Sequence, residues 1–191
     1  VRLDRSILAG AVLAASAAST LIAADGNGSY AVEGPGRMTC ADFAALSPDE
    51  PRARDVAVWL SGYMTAHNRL LTGTFDLTPW QTPGTLTGLL AQFCADNGDE
   101  VVETGATELV NYLADGRLRD RADAVAVKHD GKVTMIYAPL LAEVHARLAA
   151  TGYPSEGPDK LPEALQGYQK ANGLTPTGLP DQPTLLKLMA R

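Results

Sequence analysis

The chain has 191 residues, 46% of them hydrophobic and 20% charged, with 16 Lys+Arg against 22 Asp+Glu and a formal net charge of −6. That length fits one ordinary domain or two small ones, and the share of apolar residues excludes a disordered chain. The acidic balance leaves no basic face for a nucleic-acid backbone, and 3 His with 2 Cys leave little material for a zinc site.

Residues 1–24 read VRLDRSILAGAVLAASAASTLIAA. Arg2 and Arg5 give a positive start, no charge occurs from Ile7 to Ala24, and Ala15, Ala17, Ala18, Ala23 and Ala24 supply the small residues of a signal-peptidase site. The pattern predicts a signal peptide over 1–24, cut after Ala18 or Ala24. Its rival is a retained membrane helix, for which the stretch is short and rich in Ala, so membrane association is expected only if the leader stays uncleaved. Cleavage removes two positive charges and one negative, which makes the remainder more acidic. Residues 25–37, DGNGSYAVEGPGR, are Gly-rich and polar and predict a flexible leader.

An exported chain with two Cys pairs them, so a Cys40–Cys94 disulfide is expected. It closes a long loop, for which chain entropy gives roughly 4 kcal/mol. A catalytic thiol is the rival, opposed by the absence of Cys-x-x-Cys and of an electropositive setting. Ser47-Pro48-Asp49-Glu50 has the form of a capping box, and Val56, Trp59, Leu60, Tyr63, Met64 and His67 then recur at helical spacing. A second helix is predicted over about Thr85 to Ala95, with Leu86, Leu89, Leu90 and Phe93 apolar. Asp96 to Asp99 breaks it and caps a third, in which Val101, Val102, Leu109, Val110 and Leu113 face inward and Gly116 is the stop. The Thr/Pro-rich segment Leu71 to Pro83, carrying Trp80, has no helical pattern and is expected to cross the core.

Thr39-Cys40-Ala41-Asp42-Phe43, the helix phrase Val58-Trp59-Leu60-Ser61-Gly62-Tyr63 and the later Phe93-Cys94 resemble the HdeA family of periplasmic acid-stress proteins. The resemblance covers roughly residues 38–115. It implies a small all-helical domain in which Cys40 and Cys94 form the disulfide and Asp42, Phe43, Trp59, Gly62 and Tyr63 are fold residues. It also implies a periplasmic location. The best-known members are ATP-independent chaperones that bind acid-unfolded client proteins.

Residues 117–123 are mixed-charge and read as a solvated exit. Ala124 to His129 and Lys132 to Tyr137 flank Asp130-Gly131, a two-residue hairpin signal. A lone hairpin is marginal in water, so it is expected to pack on a helical module. Three short helices follow: one from Pro139 with Leu140, Leu141, Val144 and Leu148, stopped at Gly152; one from Pro162 with Leu165 and Tyr168, stopped at Gly173; and one opened by Asp181-Gln182-Pro183.

The phrases Leu148-Ala149-Ala150-Thr151-Gly152-Tyr153-Pro154, Ala164 to Leu174 (ALQGYQKANGL) and Thr177-Gly178-Leu179-Pro180-Asp181-x-x-Thr184-Leu185 resemble the three-helix peptidoglycan-binding domain, over roughly 139–190. Ser155 to Leu161 is shorter than the family's usual Gly- and Thr-containing loop. Peptidoglycan offers sugar hydroxyls, amides and carboxylates, which aromatic faces, amides and hydroxyls can meet. Tyr153, Gln166, Gln169, Asn172, Thr177 and Asp181 supply those groups and are the candidate ligand residues. Structural roles compete in the same phrases: Tyr168 and Leu165 are core by spacing, Gly173 and Gly178 are turns, and Asp181 itself is a cap.

His67, His129 and His145 are scattered, and no His-Glu-x-x-His, Gly-x-Ser-x-Gly elbow or phosphate loop occurs. No catalytic residue, cofactor or metal is therefore expected. The predicted fold class is mainly α: two small helical domains joined by a linker with a β-hairpin, after a signal peptide. The expected divisions are 1–24 signal peptide, 25–37 leader, 38–116 HdeA-like domain, 117–138 linker with hairpin and 139–191 peptidoglycan-binding-like domain. The function expected is that of an exported, non-catalytic peptidoglycan-binding protein. The alternatives are an acid-activated chaperone and an inhibitor or immunity-type partner of a specific periplasmic or secreted protein.

Overall fold

Proline sets where most of the helices begin. In the computed structural model, which describes residues 24–157 and 160–189, a Pro occupies the first turn of five of the seven α-helices. Its ring fixes φ near the helical value, and its missing N–H would have been unpaired there anyway. The helices are α1 (Cys40–Ala44), α2 (Pro51–Leu70), α3 (Pro83–Asp96), α4 (Val102–Leu113), α5 (Ala138–Ala150), α6 (Leu161–Ala171) and α7 (Gln182–Leu188). Two antiparallel strands, β1 (Ala124–His129) and β2 (Lys132–Tyr137), stand between α4 and α5. The protein is mainly helical with one small hairpin. The expected signal peptide lies, apart from Ala24, outside the described residues.

The chain from Val32 onward clusters as one compact unit, separate from the residues before it. In that preceding stretch, Asp25 folds a turn on itself, its Oδ1 accepting the N–H groups of Asn27 and Ser29 at 2.9 and 2.8 Å. These bonds favour the ionised form and hold the Asp25 carboxyl below the ordinary carboxylate range.

Two apolar cores lie within the larger unit. The first gathers Cys40, Phe43, Val56, Leu60, Met64, Leu77, Leu86, Leu90, Cys94 and the inner face of α4. Cys40 and Cys94 are bonded and buried, tying α1 to α3. Thr39 caps α1 by accepting the Asp42 N–H at 3.1 Å, and the Cys40 N–H donates to the Glu100 carbonyl at 2.7 Å. On α2, Trp59 stacks on Tyr63 at 5.0 Å between centroids, and the Tyr63 hydroxyl lies 2.8 Å from both Glu103 Oε1 and Thr107 Oγ1 on α4.

Several local expectations change here. The box predicted at Ser47–Glu50 does not open α2. Glu50 precedes Pro51 and is held extended at φ −67°, ψ 142°, so the helix cannot reach back through it. What remains of the box is half of its bonding, Glu50 Oε1 accepting the Ser47 N–H at 2.8 Å. α3 starts at Pro83 rather than Thr85, with Thr82 capping it through the Thr85 N–H at 3.2 Å. Within the expected flexible leader, Gly34–Arg37 forms a one-turn 3-10 helix, and Gly36 is buried so closely on Trp59 that a Cβ would come within 2.4 Å of the indole.

The segment 71–83 does more than cross a core. Leu77 is fully buried in the first, whereas Trp80 packs against the second. Two-way bonding between Asp76 and Leu118, at 3.1 and 2.8 Å, fastens this strap to the chain leaving α4.

The second core contains Val127 and Ile136 of the hairpin together with Leu140, Val144, Leu148, Leu161, Leu165, Tyr168, Leu179, Leu185 and Leu188. The hairpin therefore belongs to this core and is not a free connection. Asp130 and Gly131 take φ of +46° and +72°, the left-handed pair that a two-residue turn needs, and His129 pairs with Lys132.

Candidate functional site

The phrase from Thr177 to Thr184 folds into a closed polar network under the second core. Asp181 caps α7, its Oδ1 accepting the Thr184 N–H at 3.1 Å and also the Thr184 hydroxyl. Its Oδ2 accepts the Thr177 hydroxyl at 2.6 Å. Both hydroxyls have then spent their proton and can only accept, and Gln169 Nε2 donates to them from 3.0 and 2.8 Å. Gln169 Oε1 accepts the Gly178 N–H at 2.9 Å, which closes the network. Gln169 is 0% exposed, so its amide has nothing left to offer a ligand. Burying an amide at this cost requires every group to be paired, and here every one is.

The six candidate ligand residues divide accordingly. Gln169, Thr177 and Asp181 come together, but as structural members of the network. Asn172 closes α6, its Nδ2 donating to the Tyr168 carbonyl at 2.8 Å. Tyr153 lays its ring against Gly167, where a Cβ would stand 3.0 Å away, and meets Tyr168 edge-on at 5.9 Å. Burial raises the Tyr168 pKa above its ordinary value. Gln166 is half-exposed, with Nε2 at 3.1 Å from His129 Nε2.

None of the six lines the groove that opens on this core beside the hairpin. That groove, of about 700 Å³, runs between β1 and the α5–α6 connection. Ala126, Val127 and Lys128 form one wall and Leu141, His145 and Ala149 of α5 another. Ser155, at the start of the shortened loop, forms the floor with Leu161 and Pro162. His145 Nδ1 lies 2.6 Å from the Ser155 hydroxyl, and Ser155 is 5% exposed. Among the described residues no carboxylate bonds the imidazole in the position of a triad's orienting third group. What the pair does in the fold is tie the loop to α5. His145 Nε2 has no hydrogen-bond partner among the described residues.

Sequence reasoning considered His145 and the loop from Ser155 to Leu161 but took neither these nor Lys128 as site residues. The signal available was the hairpin's alternation: if Val127 and Ile136 face a core, the neighbouring residues must stand at its border. Among the described residues no cluster of His, Cys, Asp and Glu fit for a metal ion occurs, and no helix is long and apolar enough to cross a membrane. Comparison of the chain with protein-family models, with curated proteins and with solved structures found no match.

Proposed function

We propose that this is an exported, non-catalytic protein that binds peptidoglycan through its C-terminal helices, with the disulfide-held helical part carried beside them. The observation that supports this best is the Gln169–Thr177–Asp181–Thr184 network. The phrase resembling a peptidoglycan-binding domain is the one that folds as a single closed unit joining α6 to α7. Its polar residues hold the helices, and an open groove with unused polar groups stands on the same core. Residues 1–24 supply the export signal on this proposal, and the periplasm is the place of action.

Co-sedimentation of the full chain with purified sacculi tests the proposal. The protein should pellet with sacculi and remain in the supernatant without them. Full recovery in the supernatant at physiological salt would sink it.

A further inference from the structure

The groove beside β1 has a main-chain wall. In a hairpin closed by a two-residue turn, His129 and Lys132 exchange hydrogen bonds, as do Val127 with Thr134 and Val125 with Ile136 in the same register. The alternate residues Ala124, Ala126 and Lys128 then point their N–H and C=O groups away from β2. Among the described residues the sheet has two strands and nothing bonds the main chain of Ala126 or Lys128 from outside the hairpin, so this edge of β1 is unpaired by them. Three consecutive residues of β1 line the groove, which side-chain alternation alone would not allow. The cavity thus presents an open strand edge on one side and the apolar wall of Leu141 and Ala149 on the other.

The chemistry of the occupant follows from these walls. An unpaired edge recognises an extended peptide by strand addition, with main-chain bonds giving affinity and the pocket selecting side chains. The edge is short. From Ala124 to Lys128 it spans about 13 Å at the usual rise per residue, enough for a peptide of roughly four residues and too little for a long strand. Sugars are met by the faces of Phe, Tyr and Trp, and among the described residues none of these lines this groove; Tyr153, the nearest candidate, has its ring engaged by Gly167 and Tyr168. The exposed Lys128 ammonium suits a carboxylate, and Glu156 on the facing loop suits an ammonium. Resting on the wall-binding proposal, we infer that the β1 edge groove takes the short peptide stem of peptidoglycan, paired as a third strand to β1, and not its glycan.

Calorimetric titration of the full chain tests this with three probes: a synthetic wall-stem tetrapeptide, the same peptide N-methylated at its central amide, and a peptide-free glycan oligomer. Sacculus co-sedimentation runs beside them. The tetrapeptide should bind and the glycan should not. N-methylation removes a strand-pairing donor without touching the protein and should weaken binding at least tenfold. Lys128→Glu, at an exposed position, should weaken tetrapeptide and sacculus binding together. Sacculus binding without tetrapeptide binding, or binding indifferent to N-methylation, overturns the groove assignment and leaves wall binding standing. Tetrapeptide binding without sacculus binding supports the groove and removes wall binding. Binding of neither removes both, and a preference for long unstructured polypeptides over the tetrapeptide overturns the stem in favour of a protein partner.

Discussion

Gly62 and Gly105 occupy interior turns of α2 and α4 and have opposite surroundings. A Cβ at Gly62 would meet nothing within 4 Å, whereas one at Gly105 would come within 2.7 Å of Leu90 and 2.8 Å of Phe93. Gly62→Ala should therefore stabilise the protein by about 0.5–1 kcal/mol, through the lower entropy cost of Ala in a helix. Gly105→Ala should destabilise it by about 1–3 kcal/mol, because α3 must give way. Urea midpoints of the two variants should move in opposite directions. Packing gives no reason for a glycine at Gly62, a position singled out by resemblance alone. At this scale the C-terminal phrase was only partly legible. Asp181 as a cap and Gly173 and Gly178 as positive-φ turns could be read from local chemistry. Gln169 could not, because its partners lie eight to fifteen positions further along the chain.

Among the elements, the strap over 71–83 and the hairpin show what periodicity reaches and where it stops. Most of the helices and the Asp130-Gly131 turn follow from short-range rules, but the starts next to Pro51 and Pro83 shifted. α4 opens after Val101 with no side-chain cap instead of being capped from Asp96 to Asp99, and the short α1 had no pattern to announce it. The groove depends on where β1 comes to rest against α5 and the 155–161 loop, which no local pattern specifies. The strap also sets a titration. Phe75 meets the Tyr137 ring edge-on at 6.0 Å, and burial, followed by the charge and hydrogen bond of Asp76, raises the Tyr137 pKa above its ordinary value of 10.0. Because the folded value exceeds the unfolded one, this contribution to stability is whole below about pH 10 and fades as pH rises through the folded value. Asp76→Asn should bring the Tyr137 titration down toward the ordinary value while burial keeps it above. Following the Tyr137 ring by NMR against pH measures this, and an unmoved titration would show that Asp76 has no part in it.

At the scale of the whole molecule, the two tryptophans report on different cores: Trp59 packs on the first and Trp80 on the second. The disulfide belongs to the first alone. Replacing Cys40 and Cys94 with Ala should lower the unfolding free energy by roughly 4 kcal/mol. Since Leu77 and Trp80 lie on one strap, the loss should appear in both cores. Denaturant curves of single-tryptophan variants, Trp59→Phe and Trp80→Phe, made in the disulfide-free background should shift to the same midpoint. A second-core transition unmoved by loss of the disulfide would mean that the cores melt independently.

The strap has a consequence for how the chain can be divided. Cutting before Pro139, where composition and helix pattern invite a boundary, would strip the second core of Val127, Ile136 and Trp80. The three helices left behind would expose the seats those side chains fill, and the groove would lose its strand wall altogether. The smallest piece able to keep the second core whole therefore begins upstream of Trp80, inside what composition assigns to the other half. A fragment made to the apparent boundary would fail for want of its neighbour's residues, whatever the intact protein binds.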